Sequence, residues 1–142
     1  MSTEEIAEEK VEEKPKENNT GIVYIYATYN NTIIHITDMV GNTLAKVTGG
    51  RMTKQSRLKA NPTVAMFAAK KAAEQVRDLG ITQVFVKMRA KGGKNANSPG
   101  PGAHATVKSL AREGIRVLNI LDTTPIPRGG PKPAGGKRGR RV

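Results

Sequence analysis

The 142-residue sequence predicts an α/β domain in which three strands come first and two helix–strand units follow, β-β-β-α-β-α-β. Three observations carry that expectation. Residues 22–48 contain three runs rich in Val, Ile, Tyr and Thr, separated only by Asn- and Gly-containing breaks. Residues 61–80 form an alanine-rich segment with apolar side chains at helical spacing. Two further β-rich runs, at 82–88 and 115–122, are each preceded by a helical segment, so they join the sheet through crossovers and run parallel.

The elements follow in order. IVYIYATY (22–29) is a strand that ends at Asn30-Asn31, a pair suited to a tight hairpin, and TIIHITD (32–38) is its partner. A turn around Gly41 leads into a third strand, TLAKVT (43–48). Asn61 caps a helix that has Pro62 in its first turn and Gly80 as its stop. Its Ala65, Ala69, Ala72, Val76 and Leu79 make one apolar stripe, and alanines let a helix lie close on a sheet. TQVFVKM (82–88) is the fourth strand. A second helix, AHATVKSLARE (103–113), turns Val107, Leu110 and Ala111 inward and stops at Gly114. IRVLNILD (115–122) is the last strand. The expected sheet is mixed, with the two helices covering its faces.

Charge divides the chain differently. Residues 1–19 carry seven Glu and three Lys, a net −4 with few hydrophobics, and are expected to be a mobile extension. Residues 20–142 carry 21 Lys/Arg and five acids, a net +16. Within them, 20–124 is the expected core and 125–142 a basic Pro/Gly-rich arm, whose 18 residues span up to ~60 Å when stretched. So basic a body selects polyanions, nucleic acid first. No stretch approaches the ~20 apolar residues of a spanning helix, so no membrane partner is expected. Two separated His and no Cys argue against metal-centred chemistry and rule out disulfides.

Enzyme readings fail on residue type and spacing. The predicted order is shared with ribonuclease H-like nucleases, which gather carboxylates around two metals. The first strand here has no Asp or Glu, and the body holds only Asp38, Glu74, Asp78, Glu113 and Asp122. A phosphate-binding P-loop needs Gly five residues before the Gly of Gly-Lys-Ser/Thr; before Gly93-Lys94 that position is Met88, and Asn95 follows. No catalytic residue, cofactor or metal is therefore expected.

Phosphate recognition without catalysis remains. Three segments are cationic and free of acids. Loop 49–60 carries Arg51, Lys54, Arg57 and Lys59; loop 89–102 carries Arg89, Lys91, Gly92, Gly93, Lys94 and Asn95; the arm carries Arg128, Lys132, Lys137, Arg138, Arg140 and Arg141. Glycines in the second loop would let a polyanion reach backbone amides, and the helix N-terminus near Gly102 favours anions. Asn30 and Asn31 are weaker candidates that better suit the hairpin turn. A 4% aromatic content argues against stacking of single strands and favours reading shape and backbone in folded RNA. An architectural DNA-binding protein is the alternative.

The order NNTIIHITD, TGG, AMFAAKKAAEQVRDLGI, KGGKNANSPGPGAHATVKSLAREGIRV and DTTPIPRGG…KRGRR, spanning about residues 20–142, closely resembles the small-ribosomal-subunit protein family numbered eleven, in its archaeal and eukaryotic-type form. The resemblance implies a ribonuclease H-like core without the enzyme's acids, working as a structural component of the cytoplasmic ribosome. It further implies binding to small-subunit rRNA on the platform near the messenger exit region, with neighbouring ribosomal proteins in contact and messenger RNA nearby. Many bacterial relatives carry His-Asn-Gly after TPIP, where this chain has Arg128-Gly129-Gly130.

Overall fold

A computed structural model of the chain describes residues 20–92 and 98–132. The expected leader, 1–19, lies outside the described residues. Five strands form one sheet: β1 (Thr20–Ala27), β2 (Thr32–Asp38), β3 (Thr43–Thr48), β4 (Gln83–Arg89) and β5 (Arg116–Asp122). Their order is β3-β2-β1-β4-β5. β1 pairs antiparallel with β2 and β2 with β3, whereas β1, β4 and β5 are mutually parallel. This is the mixed α/β arrangement expected from the sequence.

Among the described residues three α-helices accompany the sheet: a single turn α1 (Gly49–Met52) inside the segment expected to be all loop, then α2 (Pro62–Asp78) and α3 (Gly102–Arg112). The side chain of Asn61 accepts the Thr63 N–H at 2.9 Å, so the expected cap forms. Both long helices end in the same way. Gly80 and Gly114 take φ of +89° and +86°, and the amides of Ile81 and Ile115 reach back to the carbonyls of Val76 and Leu110.

The helices do not share the two faces of the sheet. Both pack on one face, side by side, with the Ser109 hydroxyl donating to the Met66 carbonyl between them. Val23, Ile25, Ala27, Ile34, Ile36, Val84 and Val86 point into that layer and meet Ala68, Ala69, Ala72, Ala73, Val76 and Leu110. The alternate strand residues, among them Ile22, Tyr24, Tyr26, His35, Phe85 and Lys87, form an opposite face that no described helix covers. A sheet with one open face alternates apolar and polar residues, as β1 and β4 do here. Two helical positions expected inward are exposed: Leu79, at the cap of α2, and Ala111, on the outer side of α3. Thr106 and Ser109 fill the inward positions of α3 instead, each hydrogen-bonded to a backbone carbonyl.

The first hairpin also differs. The strands pair only as far as Ala27 and Thr32, leaving a four-residue turn, Thr28–Asn31, closed by the Thr28 N–H on the Asn31 carbonyl. The Thr28 hydroxyl accepts the amides of Asn30 and Asn31, which draws Thr28 and Tyr29 out of the strand.

Candidate nucleic-acid interface

Strand direction decides which connections share an end of the sheet. At the carboxyl ends of the parallel strands lie the Thr28–Asn31 turn, the 49–60 segment after β3, the β4–α3 connection and the chain after β5. The segments singled out by charge therefore converge on one end. Arg51, Lys54, Arg57, Arg89, Lys91, Arg128 and Lys132 are exposed there and Lys59 is half-buried. Gly93, Lys94, Asn95, Lys137, Arg138, Arg140 and Arg141 lie outside the described residues.

The acids sit elsewhere. Asp38, Asp78 and Glu113 are at the opposite end, where Arg77 lies 3.7 Å from the Glu113 carboxylate and donates to its carbonyl at 2.9 Å. Among the described residues this is the single ion pair, so the cations of the carboxyl end have no acidic partner. Among the described residues Asp122 is the one acid at that end, and local hydrogen bonds occupy it. Its carboxylate accepts both the hydroxyl and the amide of Thr124, which hold it below the usual carboxylate range. Asp38 and Asp122, the strand-end acids of the nuclease reading, stand at opposite ends of the sheet.

Hydrogen bonds and close backbone packing lock the segments together. Thr124 Oγ1 accepts the amide of buried Ala90 at 3.0 Å, and the Thr123 amide donates to the Met88 carbonyl at 2.8 Å, which roots the arm on β4. The Gly100 amide donates to the Ala27 carbonyl at 3.0 Å. A Cβ on Gly100 would run into the Thr28 carbonyl, and one on Gly102 into the Thr32 hydroxyl. Gly92, at φ +80°, lies against Pro125, whose ring and carbonyl would both be 2.8 Å from an added Cβ. The described glycines of this loop thus make close contacts with the protein itself. Thr28, Thr32 and Pro125 fill the space on the Cβ side of these glycines.

Asn31 is likewise committed to the turn. Its side-chain oxygen accepts the Thr32 amide at 2.9 Å, while Asn30 remains exposed. The first turn of α3 contains no acid, and His104 is exposed in it, which leaves the positive end of that helix dipole facing the same surface. No helix among the described residues is long and apolar enough to cross a membrane.

Charge-based reasoning missed the aromatic residues nearby. Tyr29 is 60% exposed in the β1–β2 turn, and Tyr24 and Tyr26 stand on the open face. The Arg89 guanidinium lies 4.8 Å from the Tyr26 ring centre, and the Lys87 ammonium 5.6 Å from that of Tyr24. The detectable signal was Tyr-x-Tyr on a strand, which places both rings on one face.

What the carboxyl end can do chemically is bind phosphates over a broad surface. Among the described residues it offers separated cations and a helix N-terminus. A family model described as ribosomal protein S11 matches residues 21–138, which take in all but the first residue of the sheet, both long helices and most of the arm. The chain belongs to the ribosomal protein S11 family, structural proteins of the small ribosomal subunit that bind rRNA and are not enzymes.

Proposed function

We propose that this chain holds rRNA on the platform of the small subunit, near the messenger exit region, through the carboxyl end of its sheet. The observation that carries the reading is the convergence of the 49–60 segment, the β4–α3 connection and the root of the arm on one acid-poor end. Arg51, Lys54, Arg57, Lys59, Arg89, Lys91, Arg128 and Lys132 are the proposed phosphate contacts in the described part, and Asn30 a proposed polar contact. Lys94, Asn95, Lys137, Arg138, Arg140 and Arg141 extend the same charge pattern in sequence. Gly92 and Asn31 support the surface by packing and turn formation.

Platform placement rests on the motif order that resembles family members there, as do contacts with neighbouring platform proteins and proximity to messenger RNA. Arg128-Gly129-Gly130 after TPIP favours the archaeal and eukaryotic-type branch, and it adds a cation where many bacterial relatives carry His-Asn-Gly. The expected domain division, 20–124 as core and 125–142 as arm, is part of this proposal: the arm is a tether laid along RNA from a root fixed by Thr123 and Thr124.

Co-sedimentation with small ribosomal subunits at moderate salt, followed by hydroxyl-radical footprinting, tests the placement. Protection of platform rRNA is the expected result. Protection confined to another region of the subunit would overturn the placement.

A further inference from the structure

The open face of the sheet has a chemistry that the basic end does not explain. Across one row run Lys46, His35, Tyr24, Lys87 and Leu121, each in register with the next; one row nearer the carboxyl end come Ile33, Tyr26 and Arg89. Tyr24 and His35 form a tilted ring pair with centres 6.0 Å apart. His35 is held in place by Thr43, its Nε2 lying 2.8 Å from that hydroxyl. Below the Tyr24 row, Ile22, Met39, Phe85, Lys87, Asn119 and Leu121 line a shallow hollow of ≈ 230 Å³. The Asn119 oxygen accepts the Ile120 amide at 2.9 Å, which orients the side-chain NH₂ of Asn119 away from that bond.

We propose that this face is a stacking platform for unpaired nucleotides of the bound RNA, with Tyr24 and Tyr26 as the rings and Lys87 and Arg89 as their cationic flanks. The proposal rests on the RNA-facing placement of the carboxyl end given above. Two observations point to RNA as the occupant. Among the described residues the face carries Lys46, Lys87 and Arg89 and no acid, which complements a phosphodiester chain. It is also continuous with the basic end, because Arg89 is the last residue of β4 and the chain passes from it directly to Lys91. Single-stranded RNA is commonly read by a sheet face whose aromatic side chains and Arg planes stack on splayed bases.

Low aromatic content argues against such stacking in sequence, but composition averages over position. Three of the five aromatic residues, Tyr24, Tyr26 and Phe85, fall on this one face, and a fourth, Tyr29, stands at its rim. A few rings gathered on one surface suffice for two or three bases. Phosphates bound at the carboxyl end would deliver the flanking nucleotides to that surface.

The test uses the full chain and a transcript of small-subunit rRNA, with three proteins compared: wild type, a Tyr24→Leu/Tyr26→Leu pair and a Tyr24→Phe/Tyr26→Phe pair. Each is first checked for a cooperative melt. Losing a base–aromatic stack should weaken binding by ~5–150-fold per base. The Leu pair should show that loss with an unchanged slope of log affinity against log salt, since no cation is removed. The Phe pair, which keeps both rings, should bind like wild type. Ultraviolet cross-linking of the wild-type complex should join nucleotides to Tyr24 or Tyr26.

A Leu pair that melts cooperatively and binds within about twofold of wild type would overturn the stacking claim alone. So would Leu and Phe pairs that lose affinity equally. A Leu pair that binds RNA normally but fails to enter small subunits would assign the face to a neighbouring protein and overturn it too. If the wild-type chain bound no RNA, the proposed phosphate surface itself would fall.

Discussion

Gly100 separates two accounts of the β4–α3 loop. If its glycines exist to admit RNA, Gly100→Ala should fold normally and bind weakly; if they exist to let the loop lie on the β1–β2 turn, it should be unstable. The neighbours of an added Cβ are the Thr28 carbonyl group and the Ala27 carbonyl carbon, all backbone atoms that cannot rotate aside. Forcing a methyl into such a contact costs ~1–3 kcal/mol. The displacement also weakens the Gly100 amide bond to Ala27, itself worth ~0.5–1.5 kcal/mol. Together the loss is about 2–4 kcal/mol, or about 8–16 °C in melting temperature at ~4 °C per kcal/mol. Circular dichroism melts of the full chain measure it directly. Gly114→Ala is the control, since no atom lies within 4 Å of its added Cβ and only its φ of +86° opposes the change. A Gly100→Ala protein that melts within about 2 °C of wild type and loses RNA affinity would refute the packing argument.

Other outcomes can be stated from the same geometry. Thr124→Val removes the acceptor of the buried Ala90 amide and should cost ~1–3 kcal/mol in urea unfolding, whereas Thr124→Ser should recover most of it. Replacing Arg51, Lys54 and Arg57 together by Gln should lower the slope of log affinity against log salt by about 2–3, while the same change at Lys70 and Lys71 on α2 should leave it near the wild-type value. Deleting residues 125–142 should leave the core melt cooperative and weaken rRNA binding; a lost transition would show that the arm helps the core to fold. The amides of Asn42, Gly41 and Val40 and the side chain of Asn42 hold the Asp38 carboxyl below its ordinary value, so its contribution to stability is present above that value and is lost as pH falls through the depressed one. The difference in melting temperature between wild type and Asp38→Asn should then be largest near neutral pH and should shrink progressively as pH falls below the ordinary carboxylate value of about 4.

Much of the fold was legible because its signals are local. The caps of α2, the glycine stops at 80 and 114 and the alternation in β2 and β3 depend on residues within a few positions of one another, and the elements formed within one or two residues of expectation. The first hairpin departed because the Thr28 hydroxyl collects turn amides, a competition that strand propensity does not register. The cationic segments were also readable, since charge and the absence of acids are properties of sequence alone.

The sequence by itself determined the order of elements, the basic character of the body, the lack of a carboxylate on the first strand and the motifs of the S11 family. Only the tertiary structure decided that separate basic segments share one end, that both long helices occupy one face and that Gly92, Gly100 and Gly102 are packing joints. Pairing direction and register are long-range properties: which loops meet depends on how β1 lies beside β4 and β4 beside β5, strands far apart in the chain. The same register gathers Tyr24, Tyr26, Lys87 and Arg89 into neighbouring ring–cation pairs, a surface that averaging over composition conceals.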